Sequence, residues 1–181
     1  MTALYTTQNS LLLDNLLKFY KEDSRLDTML GIINGDSKIS LRIVDWFATN
    51  YAKQRFTVYS LSDGSRFKVY NDYKLKLRAY SKKRFDPFCR WERIIIPYKE
   101  NNSIQTTIGQ LNFFKWALEN DVIKFIENHY SDIEKDMNNR NSTSKRRSIN
   151  ITKTRKKREE LSISATKSVK QETVEVVLKF N

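Results

Sequence analysis

The sequence predicts an α+β fold, a small antiparallel sheet packed on three or four helices, with a basic C-terminal arm. Three observations predict it. Apolar residues recur at helical spacing in three separate stretches. Between them lies a region of β-formers that alternates with polar residues around Asp63-Gly64. Beyond Asn139 the apolar period stops and Lys and Arg accumulate.

The first helix is expected over residues 10–21, where Leu12, Leu13, Leu16, Leu17 and Tyr20 share one face and Ser10 can cap. Asn34-Gly35-Asp36-Ser37 is a turn signal. Ser40 can cap a second helix over 40–53, with Ile43, Val44, Phe47 and Tyr51 on one side. The period then changes. Residues 56–61 and 66–70 read as a hairpin, because Asp63-Gly64 supplies the positive φ of a tight turn. The alternation of Tyr73-Lys74-Leu75-Lys76-Leu77-Arg78-Ala79-Tyr80 suggests a third strand, with a short helix as the competing reading. Residues 92–98 read as a buried strand ended by Pro97. Thr107 and Gln110 fit a capping box for a helix running to residue 137, either continuous or broken near Asn120-Asp121. The expected organisation is a folded domain over 1–139, a basic linker or arm over 140–160, and a segment over 161–181. A strand over 173–180 in that segment can return to the sheet.

Hydrophobic residues make up 39% of the 181 residues, enough for a core. Cys89 is the one cysteine, so neither an intrachain disulfide nor a cysteine metal site can form. With no basic stretch followed by an apolar one near Met1, the protein is not expected to be secreted. No apolar run is long enough for a membrane helix, and no membrane partner is expected.

The net charge is +12, and it is uneven. Residues 140–181 hold 12 basic and 4 acidic side chains, and residues 1–139 hold 21 and 17. The run from Arg140 to Arg158 contains nine Lys or Arg and no Asp or Glu. Its clusters are Lys145-Arg146-Arg147 and, with Lys153 ahead of it, Arg155-Lys156-Lys157-Arg158. Such a run suits phosphate contact, a bipartite nuclear import signal, or both. A second basic group is Lys74, Lys76, Arg78, Lys82, Lys83, Arg84, Arg90 and Arg93, opposed only by Asp86 and Glu92. Tyr73, Tyr80, Phe85, Phe88 and Trp91 are interleaved with it. Cations beside exposed rings can hold a phosphate chain while the rings stack bases. The competing reading is a solvated face over core aromatics, and for Phe85 and Phe88 it is the stronger one.

Nothing in the residues argues for catalysis. His129 is the one histidine and reads as structural or surface, and Cys89 reads as core. Asp14, Asp27, Asp45, Asp86 and Glu92 are scattered. Asp86 and Glu92 flank Phe88-Cys89-Arg90-Trp91 and can share a cation, but ion pairs with Arg90 or Arg93 are the plainer expectation. There is no Gly-rich phosphate loop. No catalytic residue, metal or cofactor is expected.

Three segments together carry a resemblance: Tyr80–Arg90 (YSKKRFDPFCR), Thr106–Trp116 (TTIGQLNFFKW), and basic Lys153–Ser162 with the closing Val-rich stretch. From about Ile39 onward the chain resembles a small protein of nucleocytoplasmic large DNA viruses, including iridovirus-like and marseillevirus-like lineages. In iridoviruses such proteins are described as replication factor and/or DNA binding-packing protein. The resemblance implies DNA association during replication or packaging, in the host nucleus, a cytoplasmic viral factory or the virion. It supplies no catalytic residues. The expected function is therefore non-enzymatic nucleic-acid binding, with DNA favoured as partner and other viral proteins as further partners; the oligomeric state stays open. A metal-dependent, nuclease-like DNA-processing enzyme and an assembly or adaptor protein with a nuclear localisation signal are the alternatives.

Overall fold

The computed structural model describes residues 8–99, 102–149 and 170–173. It is an α+β fold built around one helix, α6 (Ile108–Glu119). Gly109, Leu111, Phe113, Phe114, Trp116 and Ala117 are all buried along α6, so it is covered on nearly every side. A helix apolar around most of its circumference belongs at the centre of a core. Thr107 caps it as expected, accepting the Gln110 backbone N–H at 3.2 Å.

Helix α1 (Gln8–Phe19) packs on α6 through buried Leu16, and the Tyr20 hydroxyl just beyond it donates to the Leu111 carbonyl at 2.8 Å. Helix α2 (Asp23–Asn34) is an element the sequence reading leaves unassigned. Leu26, Met29, Leu30 and Ile33 are buried at helical spacing on it. The Asn34-Gly35 turn signal is its C-terminal cap, with Gly35 at φ 86°. The expected 40–53 helix forms in three parts. α3 (Leu41–Trp46) is capped by the Ser40 side chain, a π-helical turn spans Phe47–Tyr51, and α4 (Ala52–Gln54) finishes it.

The hairpin is present but short. β1 (Val58–Ser60) pairs antiparallel with β2 (Arg66–Lys68), Tyr59 opposite Phe67, and Gly64 takes φ 81° in the turn. The strand expected over 73–80 is instead part of helix α5 (Val69–Arg84), interrupted at Ser81, whose φ of 60° is not helical. From Asn71 to Arg84 no residue is β-branched, and Leu, Lys, Arg and Ala favour helix. Tyr73, Leu77 and Tyr80 form the inward stripe, while Leu75 stays 61% exposed, so the alternation was accidental.

A second, separate sheet replaces the single sheet expected. β3 (Arg93–Tyr98) pairs antiparallel with β4 (Asn102–Thr107), and β4 pairs antiparallel with β5 (Lys170–Thr173). Pro97 lies inside β3, which is tolerable because β3 is at the edge of the described sheet. The C-terminal segment does return to the sheet, but the described strand is Lys170–Thr173. Of the expected 173–180 strand only Thr173 falls among the described residues.

The long C-terminal helical run is broken near Asn120-Asp121, giving α7 (Val122–Asn128) and α8 (Tyr130–Ile149). Asp121 sits at φ 52° between α6 and α7. Helix α8 continues ten residues past Asn139, where a linker was expected. Its start is fixed by buried Ile133 and Met137 and by Asp136. The Asp136 carboxylate accepts the Trp46 indole N–H at 2.9 Å and pairs with Arg140 at 3.4 Å. The Arg140 guanidinium also covers the Trp46 ring. Arg140, first residue of the basic run, is thus a docking residue of the fold.

Candidate nucleic-acid interface

The loop from Phe85 to Glu92 lies against the N-terminal end of α6. Asn112 donates to the Arg84 carbonyl at 2.8 Å, and the Gln110 side chain donates to the Pro87 carbonyl at 3.2 Å. The Thr107 hydroxyl donates to the Cys89 carbonyl at 3.4 Å. The Asp86 backbone N–H donates to the Gly109 carbonyl at 3.3 Å, and the Asp86 carboxylate closes a local turn by accepting the Phe88 N–H at 2.8 Å. The Cys89 thiol, buried, donates to the Lys83 carbonyl at 3.4 Å. Phe85 is 1% exposed and packs between Tyr73, Tyr80, Phe113 and Trp116. The two unusual sequence phrases, FDPFCR and TTIGQLNFFKW, are therefore two sides of one joint. Asn112 is not singled out by the sequence, and Gln110 is expected there only as the capping-box partner of Thr107, not as a residue that holds the loop. Two amides in an otherwise apolar helical stretch were the available signal, since buried amides need partners.

This joint holds the basic group in place. Lys74, Arg78, Lys82, Lys83, Arg90 and Arg93 are exposed, and Lys76 and Arg84 are half-buried. Lys74, Lys76 and Arg78 do not share the single face that a strand would give them. On α5, Lys74 and Arg78 lie four residues apart on one side, and Lys76 is turned away from them. The expected ion pairs between Asp86 or Glu92 and Arg90 or Arg93 do not form; Arg93 instead donates to the Gln105 side chain at 3.1 Å, and Arg84 to Gln8 at 3.4 Å. None of the eight cations makes an ion pair among the described residues. Elsewhere Arg25, Lys99, Lys115 and Arg140 each have a carboxylate partner.

Of the five interleaved aromatics, four pack against the core. Phe85 is buried, and Tyr73, Tyr80 and Phe88 are half-buried. Trp91 alone is open, at 72% exposure. Of the second cluster, Lys145, Arg146 and Arg147 fall within α8. Lys153, Arg155, Lys156, Lys157 and Arg158 lie outside the described residues. The chain between α8 and β5 lies outside the described residues. At its far end Lys170 pairs with Gln105, the residue that Arg93 bonds.

His129 is exposed at the end of α7, its ring stacked on Phe125 with centroids 4.1 Å apart. Among the described residues no group of three or more His, Cys, Asp or Glu is placed to hold a metal, and no helix is long and apolar enough to cross a membrane. One acidic pairing was not visible in the sequence. Asp45 is raised to about 6, chiefly by burial and then by the charge of Asp86, with Lys82 opposing. Asp86 is itself raised by burial, and Tyr73, close to both carboxylates, is pushed up to about 12, mainly by burial.

The Asp45 shift has a consequence for stability. The folded state binds the proton more tightly than the unfolded chain does. Its contribution is thus fully present below about pH 4 and is lost as pH rises through about 6. At about 1.4 kcal/mol per unit the upper value is about 3 kcal/mol. Urea unfolding is expected to show stability falling from about pH 4.5 to about pH 6.5 and then levelling. Asp45→Asn should flatten that fall and raise stability at about pH 7.5 by about 1–3 kcal/mol.

A family model described as a family of unknown function (DUF7197) matches residues 2–177. An uncharacterized protein of Acanthamoeba polyphaga mimivirus, a nucleocytoplasmic large DNA virus, is 42% identical over 142 residues. The match covers 74% of this chain and 55% of that protein, so the chain spans about half the length of its curated relative. No solved structure matches.

Proposed function

The chain belongs to the DUF7197 family of unknown function, and we propose that it is a non-enzymatic viral nucleic-acid-binding protein. Its role in this reading is DNA replication or packaging, in the host nucleus or a cytoplasmic viral factory, with other viral proteins as further partners. The observation that carries the reading is the set of six exposed cations on α5, the following loop and the first residue of β3. None of them makes an ion pair among the described residues, and Lys82 alone feels nearby carboxylates, those of Asp45 and Asp86. Six like charges repel one another. A polyanion relieves that repulsion and releases its own counterions. In this reading the basic run from Lys145 to Arg158 supplies further phosphate contacts. The mimivirus relative supports the viral setting alone, and the resemblance to a DNA binding-packing protein is what points to nucleic acid.

Electrophoretic shift of a duplex across a salt series tests it. Contacts from the six cations alone should give a log–log slope of about −5, steeper if the α8–β5 segment engages. Duplex and single strand both left free at every salt concentration down to about 50 mM would sink the reading; nuclear accumulation in that case would assign the chain to the adaptor class. The second reading is a metal-dependent, nuclease-like DNA-processing enzyme with Asp86 and Glu92 as its carboxylates. Cleavage of the duplex in Mg²⁺ that Asp86→Asn abolishes would support it.

A further inference from the structure

We infer that Trp91 is a stacking platform for an unpaired base, so that the basic surface takes single-stranded nucleic acid in preference to duplex. The inference rests on the nucleic-acid reading and deepens it. Trp91 is 72% exposed, an unusual state for the largest apolar side chain. The protein's other two tryptophans are engaged: Trp46 bonds Asp136, and Trp116 is 3% exposed and donates to Asp72 at 2.7 Å. Trp91 has no ring or cation partner among the described residues, although Arg90 and Arg93 flank it in sequence and both are exposed.

Its backbone is held while its ring is free. The Cys89 thiol lies within 3.4 Å of the Lys83 carbonyl and 3.9 Å of the Trp91 carbonyl. That closure brings the Lys82-Lys83 turn alongside the Arg90-Trp91 segment. Glu92 follows at φ 51°, a left-handed turn that a non-glycine residue adopts only at some cost. Its carboxylate is the one exposed negative group in this loop. The result is an open indole on a segment that carries exposed Arg90 and Arg93 and that the Cys89 thiol ties to the backbone of exposed Lys82-Lys83. Phe56 is 85% exposed, but its neighbour Arg55 is turned over Tyr51. A base in a duplex keeps its faces stacked, whereas an unpaired base offers a face to an indole while cations hold its phosphates. Stacking of this kind is tolerant of sequence, which suits a site with few directed polar groups.

The test uses the full chain with oligothymidylate of about 16 nucleotides and a duplex of equal length, at one salt concentration. Oligothymidylate is expected to bind more tightly and to quench the tryptophan emission. Trp91→Ala should weaken its binding about 5- to 150-fold and abolish the quenching, while changing duplex affinity little. Trp91→Phe should retain most of the affinity, and the salt slope should stay the same in both variants. Unchanged melting temperatures are expected of a residue so exposed. Equal weakening on both ligands, or no weakening on either, overturns the stacking role and leaves duplex binding standing. Failure of the parent protein to bind either ligand overturns both readings.

Discussion

Gly109→Ala is expected to destabilise the protein by about 1–3 kcal/mol, and Gly109→Val by about 4 kcal/mol or enough to prevent folding. Intrinsic propensity argues the other way, because alanine is favoured over glycine in a helix by about 1 kcal/mol. Steric contact decides the sign. A Cβ at Gly109 would lie 2.8 Å from Cys89 Cβ, 3.0 Å from its sulfur and 3.0 Å from the Lys83 carbonyl oxygen. Two of these atoms cannot rotate away. The Cys89 Cβ is fixed by its backbone, and the Lys83 carbonyl already accepts the thiol. The loop must back off α6, which stretches the bonds from Asp86, Gln110 and Thr107 together. Gly31 in α2 is the internal control. Its nearest neighbour to a new Cβ is Ser37 Cβ at 4.0 Å, so Gly31→Ala should stabilise by about 0.5–1 kcal/mol. Thermal or urea unfolding of the pair reads both signs. A stable Gly109→Ala protein would mean that the loop is not seated on α6 as described.

What the sequence made legible follows from the range of each interaction. The Ser40 and Thr107 caps act over three residues, and both form. Asp63-Gly64 set its own turn for the same reason. Helix α2 was equally legible through Leu26, Met29, Leu30 and Ile33, but the Asn34-Gly35 signal was read only as a turn. β4 was hidden because NSIQTT has a single aliphatic residue, and its buried Thr106 side chain bonds Gln110. The reading of α5 failed on period, because Lys and Arg between leucines imitate alternation over residues 73–80. The helical stripe of Tyr73, Leu77 and Tyr80 was present in the same residues. What selects it is the buried Phe85 ring, which meets both Tyr73 and Tyr80. The binding face had the same fate. Its charges could be counted from the sequence, but their arrangement depends on packing partners distant in the chain. That holds for the split of Lys76 from Lys74 and Arg78, and for the isolation of Trp91 among five aromatics. Asp45 and Asp86, 41 residues apart in the chain, feel each other's charge only through the fold.

Two sets of charge-removing substitutions should divide the binding surface, and the fold dictates how to make them. Excising 140–158 would be a poor test. Arg140 is bound to Asp136 and lies over Trp46, and the residues after the segment form the strand that pairs with β4. A deletion would thus remove charge and structure together. Glutamine at Lys145, Arg146, Arg147, Lys153, Arg155, Lys156, Lys157 and Arg158 keeps the chain length and the Arg140 anchor. Glutamine at Lys74, Arg78, Lys82, Lys83, Arg90 and Arg93 leaves the core untouched, since all six are exposed. Each phosphate that is no longer neutralised should make the log–log salt slope about 0.9 shallower on duplex DNA. The six-residue set is therefore expected to reduce its magnitude by about 5, and to lower affinity at about 100 mM salt by about a thousandfold or more. If the run from Lys145 to Arg158 lies along the same phosphates, its eight substitutions should also make the slope shallower, and the combined protein should not bind at all. If that segment serves only as an import signal, its substitution should leave the slope unchanged and abolish nuclear accumulation. An unchanged slope in the six-residue variant would remove α5 and its loop from the interface, because screened charges cannot leave the phosphates without changing the number of counterions released.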